Sequence, residues 1–378
     1  MTTMDALSKS VLPPTIRSRF VDHVNGLRMH VLEAGFDGGD RPCVVLLHGF
    51  PELAYSWRKI MPALAQAGFH VLAPDQRGYG RTTGWDGDYD GDVGSFRILN
   101  LVRDVLGLVA ALEIGSVAAV VGHDFGAPVA AYCALVRPDV FRSVALMSAP
   151  FAGPPSLPTG EPAREPDIHA ALAGLRPPRK HYQWYYSTRA ADDDMRNCAQ
   201  GVHAFLRAYY HYKSADWPGN KPFPLQSWSA GELAKLPTYY VMERDQGMAE
   251  TVAAEMPSAA RIAACEWLTE AELRVYSTEY ERTGFQGGLQ WYRCRTSGTL
   301  NADLATFSGR TIDVPACFIA GAHDWGVYQT QGAFERMRGA ACTHMLSCDL
   351  LDGAGHWVQQ ERPAEVSRRL ARFLEAVA

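Results

Sequence analysis

Short unbroken apolar runs alternate with longer helical periods along residues 1–150. Arg28–Glu33, Cys43–Leu47, His70–Ala73, Ala118–Val121 and Ser143–Met147 read as strands, and Ile98–Leu112 carries a helical period between two of them. Val44-Val45-Leu46-Leu47 has no polar face, which suits a parallel sheet covered on both sides. The right-handed crossover rule then makes this βαβ series a doubly wound, mostly parallel α/β sheet.

Past Pro150 the pattern changes. Phe151 to Pro166 holds five prolines, at 154, 155, 158, 162 and 166, and two glycines, at 153 and 160, so it is expected to leave regular structure. From His169 to about Ser297 the chain turns aromatic and helical, without a convincing alternating strand. Strand patterns return at Val314–Ala320 and Met345–Leu351, followed by an amphipathic helix at Pro363–Val377. The expected organisation is a core in residues 1–150, a helical cap in 151–297 and the rest of the core in 298–378. Val105 to Gly122 is the most membrane-like stretch, but Glu113 interrupts it and Gly107, Gly115 and Ser116 dilute it. It reads as a helix end followed by a buried strand. The run Asp192-Asp193-Asp194 reads as a solvated helix start.

Composition narrows the function classes. The 36 basic and 41 acidic side chains leave a net charge of −5 with no basic stripe, so nucleic acid and anionic membranes are poor partners. At 47% apolar and 20% charged the chain is of globular type. Met1 to Pro14 lacks an apolar segment ending in a cleavage site, and eight cysteines are scattered without a CxxC pair. A cytoplasmic protein with reduced thiols is the expectation.

Three segments carry chemistry. Gly122-His123-Asp124-Phe125-Gly126 joins a strand to a small-residue helix. It has the spacing of a nucleophile elbow, where glycines two places either side leave room for backbone packing. Asp124 stands at the reactive position, and a carboxylate there forms an ester by attacking a saturated carbon. His48-Gly49-Phe50-Pro51 ends an earlier strand and can aim a main-chain N–H at the elbow, making Phe50 and Phe125 the candidate oxyanion-hole donors. Asp324 and His356 follow two later strands, so the trio runs Asp124, Asp324, His356, the chain order of α/β hydrolases. In that arrangement His356 activates water and Asp324 fixes its tautomer; His323 and Asp352 are their weaker neighbours. Asp324 follows Asp124 by 200 positions, far more than the roughly 60 to 80 that two βα units of about 30 residues or more require. The surplus fits a lid over the strand C-termini, where α/β sheets bind ligands. Asp86 to Gly91 opens like a calcium-binding loop, but Arg97 falls where a bidentate Glu is needed, so a polar loop is expected.

Taken together, HGFPE at 48–52 with Trp57 beyond it, DQRGYG at 75–80, GHDFGA at 122–127, DWGVYQ at 324–329 and GAGHW at 353–357 resemble an epoxide hydrolase of the α/β-hydrolase superfamily. The resemblance implies an α/β-hydrolase core with an inserted helical cap, a cis Phe50–Pro51 bond, and no metal or other cofactor. It also implies two cap tyrosines that hold the epoxide oxygen. Tyr182, in a Tyr-Gln pair, is the first, with Tyr185 its alternative, and Tyr292 is the second. Pro51, Trp184, Tyr185 and Trp357 are expected to line the substrate site. The partners implied are a small apolar epoxide and water, giving a vicinal diol through an ester on Asp124. Phe125 departs from the Trp common after the nucleophile in that family. Two other readings share parts of the pattern. A haloalkane or haloacid dehalogenase also uses an Asp nucleophile, but Phe125 and Phe50 offer no side-chain donor to a halide and paired tyrosines would be idle. A non-catalytic ligand receptor would not need the complete trio.

Overall fold

The computed structural model describes residues 5–157 and 167–377. Its centre is an eight-stranded sheet built from β1 (Ile16–Val24), β2 (Leu27–Ala34), β3 (Cys43–Leu47), β4 (His70–Pro74), β5 (Val117–His123), β6 (Val144–Met147), β9 (Ala316–Gly321) and β10 (Met345–Leu351). The spatial order is β1-β2-β4-β3-β5-β6-β9-β10; β1–β2 and β2–β4 pair antiparallel and all other neighbours parallel. Every side chain of β3, β6 and β9 is buried, as unbroken apolar strands covered on two faces demand. α1 (Ile98–Ala111) and α2 (Gly126–Val136) flank β5, so the membrane-like stretch is indeed a helix end and a buried strand.

Two parts of the sheet structure differ from the sequence reading. β1 was not expected, because Arg17, Ser18, Arg19, Asp22 and His23 break its apolar pattern. It is an edge strand, and Arg17 and Arg19 fold over it onto Glu33 of β2 at 2.8 and 2.6 Å. Charges on an edge strand block pairing with other chains. A second sheet also exists in the helical region: β7 (Arg179–His181) and β8 (Val241–Glu243) pair antiparallel. Three residues are too short to display alternation.

Between β6 and β9 the chain leaves the sheet. Phe151 to Leu157 carries no regular element; Pro158, Gly160, Pro162 and Pro166 lie outside the described residues. Helices follow, among them α3 (Tyr182–Tyr186), α4 (Ala190–Arg196), α5 (Gly201–Lys213), α6 (Glu270–Thr283) and α7 (Gln286–Thr296), before α8 (Pro363–Val377) closes the chain. The acidic run opens α4 as expected, but only Asp193 is exposed: Asp192 accepts the Phe285 N–H at 2.5 Å and Asp194 the Tyr185 hydroxyl at 2.7 Å. The helical layer is fastened to the sheet by the Tyr210 hydroxyl on the Pro51 carbonyl (3.0 Å), the Trp291 indole on the Arg77 carbonyl (2.9 Å) and an ion pair between buried Arg58 and half-buried Glu272 (2.8 Å). Among the described residues no helix is long and apolar enough to cross a membrane.

Candidate active site

Strand register assembles the site. Leu47 of β3 lies opposite Gly122 of β5, His123 of β5 opposite Met147 of β6, Met147 opposite Ile319 of β9, and Gly321 of β9 opposite Leu351 of β10. The loops that leave these ends bring His48 to Pro51, Asp124, Asp324 and His356 to one rim of the sheet. Asp124 sits in left-handed backbone at φ +49°, a conformation that costs about 1–3 kcal/mol in a residue with a Cβ. A Cβ on Gly122 would come within 2.1 Å of the Gly126 carbonyl oxygen, and one on Gly126 within 2.3 Å of the Leu47 oxygen. Both elbow glycines are therefore required by backbone, not by a movable side chain.

The Asp124 carboxylate is held on one side and open on the other. The Phe50 N–H donates to Oδ1 at 2.9 Å, beside a cis Phe50–Pro51 bond. Oδ2 stands 3.4 Å from His356 Nε2, and that nitrogen has no hydrogen-bond partner. Nδ1 of His356 donates to Asp324 Oδ1 at 3.0 Å, and the same oxygen accepts the Gly326 N–H at 2.7 Å. Both side chains are buried, at 2% and 1% exposure. Burial pushes the Asp124 carboxyl up, but His356, Lys213 and His123 outweigh it and hold the group well below the usual carboxylate range. Asp324 is lowered too, with His356 and the Gly326 amide opposing burial. His356 goes the other way: burial and Lys213 favour its neutral form, yet Asp324 and Asp124 win and raise it from 6.5 to about 8.

A polar layer beneath the trio fixes its height. Buried His123 meets Glu52 Oε2 through Nδ1 at 2.6 Å and donates through Nε2 to the His356 carbonyl at 2.7 Å. Gln359 donates to the other Glu52 oxygen at 2.8 Å. Glu361, pushed up to about 7 by burial, accepts the N–H groups of Gly355 and Trp357 and so grips the His356 loop from both sides.

Tyr182 and Tyr292 close the roof. They line one cavity of about 250 Å³ together with Asp124, Phe125, Gln183, Trp291, Gln329 and an apolar end formed by Phe96, Leu101, Pro128, Tyr132 and Phe151. Their ring centroids are 5.9 Å apart. Tyr292 packs edge-on to Phe125 at 4.9 Å and to Phe50 at 5.5 Å. The Tyr182 hydroxyl donates to Gln329 at 3.1 Å and accepts from Gln183 at 3.2 Å. Burial raises both phenols above their ordinary value, and the Asp124 charge adds to it, so both are protonated donors.

Four expected substrate contacts fall elsewhere. Tyr185 lies three residues beyond Tyr182 on a five-residue helix, where its hydroxyl is bound to Asp194 and to the Met248 N–H. Trp184 faces an adjoining cavity with His181 and Trp228. Trp357 is fully buried, its indole donating to the Tyr210 carbonyl at 2.8 Å, and Pro51 is buried with its carbonyl taking the Tyr210 hydroxyl. Neither lines the main cavity. His323 Nδ1 is at 2.8 Å from the Asn220 carbonyl and Asp352 is exposed, so neither rival joins the trio. In the Asp86 loop Asp86 accepts the Asp88 N–H and Asp88 the Asp90 N–H, while Asp90 pairs with Arg189. Glu52, His123, Gln329 and Lys213 were missed. The first three sit inside matched motifs without an assigned role, and Lys213 ends a helix that also carries Arg207 and four aromatic rings, so nothing in its pattern set it apart.

An elbow carrying Asp between strand and helix, an imidazole across from it and a second Asp behind define an α/β hydrolase with a carboxylate at the nucleophile position. Residues 42–363 match the α/β-hydrolase-fold family. Similar proteins include epoxide hydrolase A and epoxide hydrolase B of Mycobacterium tuberculosis strain H37Rv. They are 36% and 35% identical, covering 94% and 92% of this chain and 96% of each relative. Among solved structures, an epoxide hydrolase from an endophytic Streptomyces is 32% identical and superposes at TM-score 0.77, covering 97% of both chains. Epoxide hydrolase A from Mycobacterium thermoresistibile follows at 34% and 0.74, covering 96% of this chain and 98% of that one. The chain belongs to the epoxide hydrolases of the α/β-hydrolase superfamily.

Proposed function

We propose that this enzyme opens a small apolar epoxide in two covalent half-reactions carried by Asp124, Tyr182, Tyr292, His356 and Asp324. Residues 151–297 act as its cap, and residues 1–150 and 298–378 as its core. The main support is the facing of Asp124 Oδ2 and the unpartnered His356 Nε2 across 3.4 Å, beneath two phenols on the same cavity.

In the first half-reaction Asp124 Oδ2 attacks a ring carbon in line with the breaking C–O bond. Tyr182 and Tyr292 hydrogen-bond the ring oxygen, and one of them passes a proton to the alkoxide. A phenol is neutral at physiological pH and a far stronger acid than water, which suits it to that donor role. The product is a hydroxyalkyl ester of Asp124. In the second half-reaction His356, oriented by Asp324, takes a proton from water, and the hydroxide attacks Asp124 Cγ. The oxyanion formed there is stabilised by the main-chain N–H groups of Phe50 and Phe125, each worth roughly 10² to 10³ in rate. Collapse releases the vicinal diol and restores the carboxylate.

The apolar end of the cavity favours hydrocarbon substituents on the ring. A dehalogenase reading lacks an indole donor beside the nucleophile: Phe125 has none, and the neighbouring Trp291 indole is committed to the Arg77 carbonyl. For the epoxide hydrolase proposed here we infer a cytoplasmic location, which the eight free thiols support. Single turnover of styrene oxide in ¹⁸O-labelled water tests the ester: the label must appear in the Asp124 peptide, and label confined to the diol would exclude covalent catalysis.

A further inference from the structure

Lys213 is a charge without a carboxylate. It is the last residue of α5 and is only 4% exposed, and among the described residues it has no ion-pair partner. Its Nζ instead sits among four rings, 5.0 Å from the centroid of Tyr240, 5.4 Å from Tyr209, 5.5 Å from Trp357 and 5.7 Å from Tyr239. Aromatic faces and a helix C-terminus both favour a cation. They do not make burial of an ammonium free, since an apolar side chain would fill the same space without desolvation. The backbone ties this residue to the histidine loop: the Lys213 carbonyl accepts the His356 N–H at 2.9 Å. A Cβ on Gly355 would come within 2.5 Å of the Ser214 main chain, so the two segments pack backbone against backbone.

Burial lowers Lys213 from the usual lysine range, and Asp124, Asp324 and Glu52 oppose that by attracting its charge. The groups that act on His356 are Asp324 and Asp124, which favour its charged form, and burial and Lys213, which oppose it. Tyr209, Tyr239 and Tyr240 stay protonated, because burial and the nearby carboxylates raise all three. Esterification of Asp124 therefore removes one of the two carboxylates that favour protonated His356, while Asp324 and Glu52 remain to hold the charge on Lys213.

We infer that Lys213 is a positioning residue for ester hydrolysis, whose buried ammonium drives His356 to its neutral, basic form once Asp124 has been alkylated. The inference rests on the ester mechanism proposed above. The protons balance. Ring opening consumes one proton, delivered by a tyrosine and replaced through solvent by the proton His356 gives up. Hydrolysis of the ester by water regenerates the Asp124 carboxylate and returns that proton to His356. The resting enzyme thus carries on its histidine the proton that ring opening needs, and the alkylated enzyme carries there the base that hydrolysis needs.

The test follows the Asp124 adduct by rapid quench and intact-protein mass after a single turnover of styrene oxide, as a function of pH, in the wild type and in Lys213→Met, Lys213→Gln and Lys213→Arg. In Met and Gln the pH midpoint of adduct decay should rise by roughly one unit, with decay slowed about 5- to 10-fold below the midpoint and restored above it. Adduct formation should change less than about threefold, and Arg should keep the wild-type midpoint. A neutral variant that decays with the wild-type midpoint, whatever its rate, overturns the inference, because a merely structural lysine would alter rates and leave the midpoint in place. The wild type supplies a check that does not depend on any variant folding: its adduct-decay midpoint must lie below the His356 midpoint measured by NMR in the free enzyme, and equality of the two also overturns it. Absence of any adduct in the wild type would instead refute the ester mechanism.

Discussion

His356 holds a pH-dependent share of the fold's stability, and His356→Gln isolates it. The imidazole is buried between two carboxylates, and its pKa rises from 6.5 to about 8 because Asp324 and Asp124 together outweigh burial and Lys213. A group raised in the folded state stabilises the fold fully below its unfolded value and loses that contribution as pH climbs through the folded one. The span from 6.5 to about 8 corresponds to about 2 kcal/mol at about 1.4 kcal/mol per pH unit. Urea unfolding in steps from about pH 6 to about pH 9 should show the wild type losing about 2 kcal/mol more than His356→Gln over that range. Glu361 is also raised, from 4.5 to about 7, and it too loses stability with rising pH. It is present in both proteins and cancels in the comparison. In the wild type Asp124 and Asp324 are lowered and stay ionised throughout. Parallel stability curves for the two proteins would refute the charge assignment on which the site's electrostatics rest.

Tyr182→Phe and Tyr185→Phe separate a cavity phenol from a structural one. The first should slow alkylation by about 10² or more with the fold intact. The second should keep turnover within about twofold and cost about 1 kcal/mol, since it strips Asp194 and the Met248 N–H of a partner. Equal activity losses would reverse the assignment. Asp324→Asn should slow ester hydrolysis by about 10³ to 10⁴ through loss of the His356 tautomer, so that adduct accumulates on Asp124 in intact mass. Rapid turnover without accumulation would count against it. Gly122→Ala should yield no soluble enzyme or one destabilised by more than about 3 kcal/mol by thermal unfolding, because its Cβ meets main-chain atoms of Gly126 and Ala127 at 2.1 to 2.7 Å. A melting temperature equal to wild type would show that the elbow tolerates a side chain.

What could be read directly from the chain was whatever chemistry imposes on neighbours in sequence. Gly122 and Gly126 are forced by the same turn that exposes Asp124, and Cys43–Leu47 must be apolar throughout because both sheet faces are covered, so these features carry local signatures. Side-chain direction carries none. Tyr182, Tyr185 and Tyr186 share one turn of helix, yet the first faces the cavity, the second Asp194 and the third Tyr209; only the packed neighbours distinguish them. The polar layer under the trio depends on longer-range pairing still. Glu52 and His123 are 71 positions apart and meet at 2.6 Å, and Lys213 reaches the His356 loop from the end of a separate helix. A buried charge looks like an exception to amphipathic patterning until the fold shows which opposite charges it answers. At this site those are Asp124, Asp324 and Glu52. Of the three, Asp124 is the one whose charge the proposed reaction cancels and restores in every cycle, so an unpaired lysine beside it can act on the chemistry as well as on the fold.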